Sequence, residues 1–239
     1  DKLLLARDYP SDLAVEALRS LRTSIHFSML EANRNNVLMI SSATASVGKS
    51  FVCLNLCSVV AQTGKKVLLI DCDLRRGNLH KIINSTSTST STSTFASAGL
   101  SHVLSGAIPF SEAIFTDTGI ETLDFISRGV SPPNPSELLA SNKLDGLIEN
   151  VSKLYDLIVI DTPPILAVTD AAIVGRFAGT SMLVSRFNQS TLNEMKSATD
   201  TFSLNGIDIT GVIFNAIRVR SKYNGKYGYY SYKYESDLD

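Results

Sequence analysis

Residues 43–50 read Ala-Thr-Ala-Ser-Val-Gly-Lys-Ser, and what flanks them limits the fold more than any other stretch. The run Val37-Leu38-Met39-Ile40 before them reads as a buried strand, and Ser50-Phe51-Val52-Cys53-Leu54-Asn55-Leu56 after them as the start of a helix. A strand, a tight loop ending in Gly-Lys-Ser and a helix make a phosphate cradle, because backbone N–H groups and the helix N-terminus face an anion. The expected nucleotide contacts are Ala45, Ser46, Val47, Gly48, Lys49, Ser50 and Phe51. Lys49 would reach the β- and γ-phosphates, and the Ser50 hydroxyl would ligate Mg²⁺. Ala43 stands where the pattern usually has its first glycine, which alanine can replace without cost only if φ is not positive.

Further strand-like runs follow at 67–71, 122–127, 157–161, 180–185 and 209–215, after the one at 37–41. Between them lie stretches long enough for helices at 49–63 (stopped by Gly64), 136–153, 168–177 and 190–204. Another helix is expected from Pro10-Ser11-Asp12 to about Ala32, with Ser11 or Asp12 as cap and Leu18, Leu21 and Ile25 on one apolar stripe. Apolar strands alternating with helices predict an α/β, doubly wound, mostly parallel sheet of the P-loop NTPase type, helices covering both faces. Its ligand belongs outside the carboxyl ends of the strands.

Two of those strands end in carboxylates. Val67 to Arg75 reads Val-Leu-Leu-Ile-Asp-Cys-Asp-Leu-Arg, so Asp71 and Asp73 are two apart and point to one side of an extended chain. Leu157 to Pro164 delivers Asp161 in the same way. Mg²⁺ prefers oxygen ligands and keeps several waters, a role open to Asp73 and Asp161 beside Ser50. Asp71 is the candidate to accept a proton from an attacking hydroxyl. Capping of a turn is the competing reading for each aspartate. Asn215 either bonds a nucleotide base or is simply a turn residue ending its strand.

The 239 residues suit one large domain over 1–217, and an apolar fraction of 44% supplies its core. A net charge of −1 calls for neither nucleic acid nor an acidic membrane. Cys53, Cys57 and Cys72 have no paired metal spacing and read as free thiols, which fit a reducing compartment. No apolar run approaches the roughly 18–20 residues needed to cross a bilayer, and no secretory signal opens the chain. It begins with Asp1 rather than Met, so a longer protein is expected around it. Residues 85–94 spell five Ser-Thr repeats, a low-complexity segment expected to be a mobile surface loop.

Residues 218–239 form an expected flexible tail. Six of the eight tyrosines lie there: Tyr223, Tyr227, Tyr229, Tyr230, Tyr232 and Tyr234. An edge strand, a platform for single-stranded nucleic acid and a set of phosphate acceptors all remain open on composition.

These segments together resemble the cytoplasmic kinase domain of bacterial tyrosine kinases, which are attached to capsular and exopolysaccharide copolymerases. Ala43–Ser50 match the first Walker motif, Val67–Arg75 the second one particular to that family, Leu157–Pro164 the Walker B segment, and Tyr223–Tyr234 the tyrosine tail. Pro132–Leu139 and Glu16–Thr23 match as well, whereas the Ser-Thr repeat has no counterpart. The resemblance implies ATP- and Mg²⁺-dependent autophosphorylation, one subunit modifying its neighbour's tail within a ring, an octamer, joined through Glu16, Arg19 and Arg22. It further implies a phosphotyrosine phosphatase as partner, no nucleic acid, and a cytoplasmic domain of a bacterial inner-membrane protein anchored by segments outside this chain. The alternative is a nucleotide-switched assembly ATPase of the deviant-Walker type without kinase activity. Those proteins carry an extra lysine where this chain has Thr44.

Overall fold

The computed structural model describes residues 4–31, 35–86 and 98–217. It opens with α1 (Leu5–Asp8) and α2 (Leu13–Glu31), followed by β1 (Val37–Ser42), α3 (Lys49–Ala61), β2 (Val67–Asp71) and α4 (Leu79–Thr86). Then come α5 (Leu100–Ser105), α6 (Phe110–Ala113), β3 (Ile114–Phe115), β4 (Leu123–Ile126), α7 (Pro135–Leu139) and α8 (Asn142–Ser152). The last are β5 (Leu157–Asp161), α9 (Asp170–Gly175), β6 (Thr180–Arg186), α10 (Leu192–Leu204) and β7 (Gly211–Asn215). The strands form one sheet in the order β3-β4-β2-β5-β1-β6-β7, and only β3 runs antiparallel to its neighbour.

Strand alternation divides the core. Leu38, Ile40, Leu69 and Val159 face α1, α2 and α3, while Val37, Leu68, Ile70 and Ile158 face α5 and α8, with Met39 and Leu183 against α10. Helices therefore cover both faces, and the central strands are buried throughout, as continuous apolar runs require. Leu18 and Ile25 on α2 are buried, and the Asp12 carboxylate accepts from the Ala14 N–H at 2.9 Å, so Asp12 is the cap of that helix.

Apart from shifts of one or two residues at element ends, the structure differs from the sequence expectation in three ways. The helix expected over 136–153 is two, α7 and α8, separated at Ala140-Ser141, where the Ser141 hydroxyl turns back onto the Leu138 carbonyl at 2.7 Å. Strand β3 and the short helices α1, α5 and α6 carry too few residues for a periodic signal. The repeat was expected to begin a loop at Ser85, but α4 continues through Thr86. The rest of the repeat and the tail lie outside the described residues.

Candidate functional site

Loop 43–48 leaves β1 and enters α3 at its half-buried first turn. Two residues turn left-handed, Ser46 (φ 62°) and Gly48 (φ 96°), and Gly48 is the N-cap of α3. Ala43 is not among the positive-φ residues, so its methyl carries no backbone cost and packs in the core with Met39 and Ile165. Several side chains hold the loop. The Ser42 hydroxyl donates to the Thr44 carbonyl at 2.7 Å, Gln189 to the Ala45 carbonyl at 3.2 Å, and the Asn215 amide to the Val47 carbonyl at 2.9 Å. Asn215 therefore braces the loop from the end of β7, a task its position in the sequence did not disclose.

Lys49 and Ser50 are the first two residues of α3. Asp71 and Asp161 end the adjacent parallel strands β2 and β5 as register partners. This brings Asp161 under the loop, where the Ser50 hydroxyl donates to its Oδ2 at 2.6 Å. Asp71 and Asp161 are buried (0% and 2% exposed), while Asp73 is half-buried. Burial raises the Asp71 carboxyl well above the usual carboxylate range, and the charges of Asp161 and Asp73 push the same way. The Asp73 and Leu79 N–H groups oppose that shift. Burial raises Asp161 too, opposed by Lys49 and the Ser50 hydroxyl. Lys49, Ser50, Asp71, Asp73 and Asp161 thus stand within electrostatic reach of one another at the carboxyl edge of the sheet.

This donor set fits Mg²⁺. Asp71 Oδ2 and Asp161 Oδ1 are buried oxygens without a hydrogen-bond partner among the described residues, and the three carboxylates outnumber the one lysine among them. Among the described residues no three His, Cys, Asp or Glu side chains enclose a metal by themselves. Ser50, Asp73 and Asp161 would instead hold the ion in company with waters and phosphate oxygens.

Some participants were not foreseen. Arg75 donates to Asp170 through Nε (2.8 Å) and Nη2 (3.2 Å), and Ser136 donates to Asp170 Oδ1 at 2.6 Å. Asp170 is fully buried. The group ties the turn after β2 to α7 and α9, so it anchors the 132–139 segment beside the carboxylates. Arg128 adds bonds from Nη1 to the Leu74 and Arg75 carbonyls at 3.4 and 3.1 Å. No local spacing announces partners so far apart in the chain.

On α2, Glu16 and Arg19 pair with each other, whereas Arg22 turns inward and donates to the Val59 carbonyl of α3 at 3.3 Å. The tyrosines at 223–234 lie outside the described residues. No helix among the described residues is long and apolar enough to cross a membrane.

A family model described as AAA domain matches residues 35–186. Among curated relatives, the tyrosine-protein kinase wzc of Salmonella typhimurium is 49% identical over 98% of this chain. The tyrosine-protein kinase etk of Escherichia coli is 44% identical over 91%. The chain spans only 31% and 28% of their lengths. Among solved structures, the kinase domain of Escherichia coli tyrosine kinase ETK superposes with a TM-score of 0.84 at 44% identity, covering 95% of this chain and 84% of that one. The BceF tyrosine kinase domain gives 0.78 at 43% identity, covering 88% and 81%. The MinC:MinD cell division complex of Aquifex aeolicus, at 22% identity and a TM-score of 0.60 over 77% and 69%, shares the fold alone. The cradle, the paired strand-end carboxylates and these likenesses agree: this chain belongs to the AAA-type P-loop domains and, within them, to the kinase domains of bacterial tyrosine kinases.

Proposed function

We propose that this domain transfers the γ-phosphoryl group of ATP to tyrosines of residues 223–234 on a neighbouring copy. The observation that carries this reading is the meeting of loop and carboxylates, with Ser50 bonded to Asp161 and Asp71 in register beside it. Names and structures of relatives as tyrosine kinases support the choice of tyrosine as acceptor.

The loop N–H groups and Lys49 would bind and orient the β- and γ-phosphates in line with the incoming hydroxyl. Mg²⁺, when bound, supplies charge neutralisation across the phosphate oxygens. The tyrosine oxygen forms its bond to the γ-phosphorus as the bond to the bridging oxygen breaks. The phenolic proton passes to Asp71, and ADP leaves. Asp71 is fully buried and Asp73 half-buried, so the acceptor hydroxyl would approach Asp71 from the side of Asp73. Each phosphate adds about −1.5 to −2 charges, so filling all six tyrosines would turn a basic tail strongly acidic and loosen a ring of such copies until a phosphatase resets it. A role in capsule or exopolysaccharide export, and attachment to a membrane through segments outside this chain, follow for the longer protein.

Incubation with ATP and Mg²⁺ followed by phosphosite mapping should place phosphate on 223–234, and Lys49→Met should abolish it. ATP hydrolysis without phosphotyrosine would favour an assembly ATPase instead.

A further inference from the structure

We propose that Gly77 is a positioning residue of this site, because its missing side chain is what lets the turn after β2 close over the Asp71 carboxylate. The inference rests on the reading that gives Asp71 the proton-accepting role. Among the described glycines, six need a left-handed φ, but Gly77 is not one of them. Its backbone conformation is open to any residue, so its lack of a side chain serves space rather than flexibility.

The space is taken by Asp71. A Cβ built on Gly77 would fall 2.6 Å from the Asp71 carboxyl carbon and closer still to both of its oxygens. Neither party can step aside cheaply. Asp71 is fully buried, and its Oδ1 accepts from the Asp73 N–H at 3.1 Å. The turn is pinned from within: Gly77 N–H donates to the Asp73 carbonyl at 2.8 Å, while Asp73 Oδ1 accepts from Arg75 and Arg76 N–H at 3.2 and 2.8 Å. Just past Gly77, the Leu79 N–H opening α4 favours the charged Asp71. The turn therefore wraps the carboxylate with its backbone and leaves Oδ2 without a hydrogen-bond partner among the described residues. A methyl at 77 must push the carboxylate off this position or lift the turn that carries Asp73. By contrast, a Cβ on Gly146 in α8 would meet nothing within 4 Å among the described residues.

The test compares wild type, Gly77→Ala, Asp71→Ala, the double variant and Gly146→Ala, in phosphoryl transfer, Mg²⁺–ATP affinity and thermal unfolding. Gly77→Ala should lower kcat by about 10²-fold, the scale of an ångström-sized misplacement, while nucleotide affinity stays within a factor of about three. Gly146→Ala should turn over like wild type. The drop in melting temperature caused by Gly77→Ala should shrink when Asp71→Ala has already removed the carboxylate, since the collision partner is gone. An Asp71→Ala variant with undiminished turnover would remove the base assignment and this inference with it. Loss in Asp71→Ala but wild-type kcat in Gly77→Ala would overturn the Gly77 inference alone. So would an equal drop in melting temperature in both backgrounds, and should Gly77→Ala fail to fold, the folding of the double variant decides.

Discussion

Arg75 closes a fork on Asp170, Nε to Oδ2 at 2.8 Å and Nη2 to Oδ1 at 3.2 Å, with Asp170 wholly buried and Arg75 38% exposed. The two halves of this pair are therefore unequal. Arg75→Ala leaves the buried Asp170 carboxylate with Ser136 as its one side-chain partner among the described residues, and should cost about 3 kcal/mol or more. Asp170→Ala leaves a guanidinium that water can reach, and should cost about 1–2 kcal/mol. Urea unfolding of both variants checks the order; a larger loss for Asp170→Ala would mean that the carboxylate serves α9 and α7 more than it serves Arg75.

Ser50 bonds Asp161 directly, so its hydroxyl is already aimed at the place a metal would share. Ser50→Ala should weaken nucleotide binding by roughly 10- to 100-fold when Mg²⁺ is present. In EDTA the same substitution should change affinity little. Calorimetry with ADP in both conditions separates a ligand of the metal from a ligand of the phosphates.

Asn215 and Gly48 meet over the loop. Asn215 donates to the Val47 carbonyl, and a Cβ on Gly48 would strike its amide. Gly48→Ala adds that collision to the strain of a left-handed φ and should abolish nucleotide binding. Asn215→Ala should weaken ATP and GTP alike, by about tenfold, if the side chain braces the loop. A selective loss of ATP, measured by competition between the two nucleotides, would return Asn215 to base recognition.

His80 is held below its ordinary value of 6.5 by burial, with Arg128 and Lys81 adding to the effect. A depressed folded value means the unfolded chain takes up a proton first as pH falls. The stability associated with neutral His80 is thus intact above 6.5 and is lost as pH falls through the lower folded value. His80→Gln should flatten the dependence of the urea midpoint on pH between neutrality and about pH 5. An unchanged slope would assign the dependence to other groups.

Cys53, Cys57 and Cys72 are buried, and burial is the first cause of their raised thiol values. None should react with iodoacetamide in the folded protein at neutral pH, and all three should react in urea. Mass measurement counts the adducts; rapid labelling of any one would reveal local opening of α3 or β2.

Much of this architecture was legible in one dimension. Continuous apolar runs at 37–40, 67–70 and 157–160 became the bodies of β1, β2 and β5 because strands buried on both faces need no polar alternation. Gly-Lys-Ser between strand and helix located the cradle, and aspartates ending strands located the carboxylates, because a parallel sheet puts every such end on one edge. Alanine at 43 could be judged only from its φ. The break between α7 and α8 escaped a reading of periodicity, since apolar spacing continues across it while Ser141 turns its hydroxyl inward.

What the amino-acid order determined by itself was the set of groups and the edge where they belong: Lys49, Ser50, Asp71, Asp73 and Asp161. Which of them touch was decided only by the tertiary structure. Register placed Asp71 beside Asp161, folding set Asn215 over Val47 and Asp170 under Arg75, and close packing left Gly77 no room for a methyl. The physical reason is that local pattern reports burial and direction along the chain, whereas hydrogen bonds and contacts between distant segments depend on strand order and packing in three dimensions.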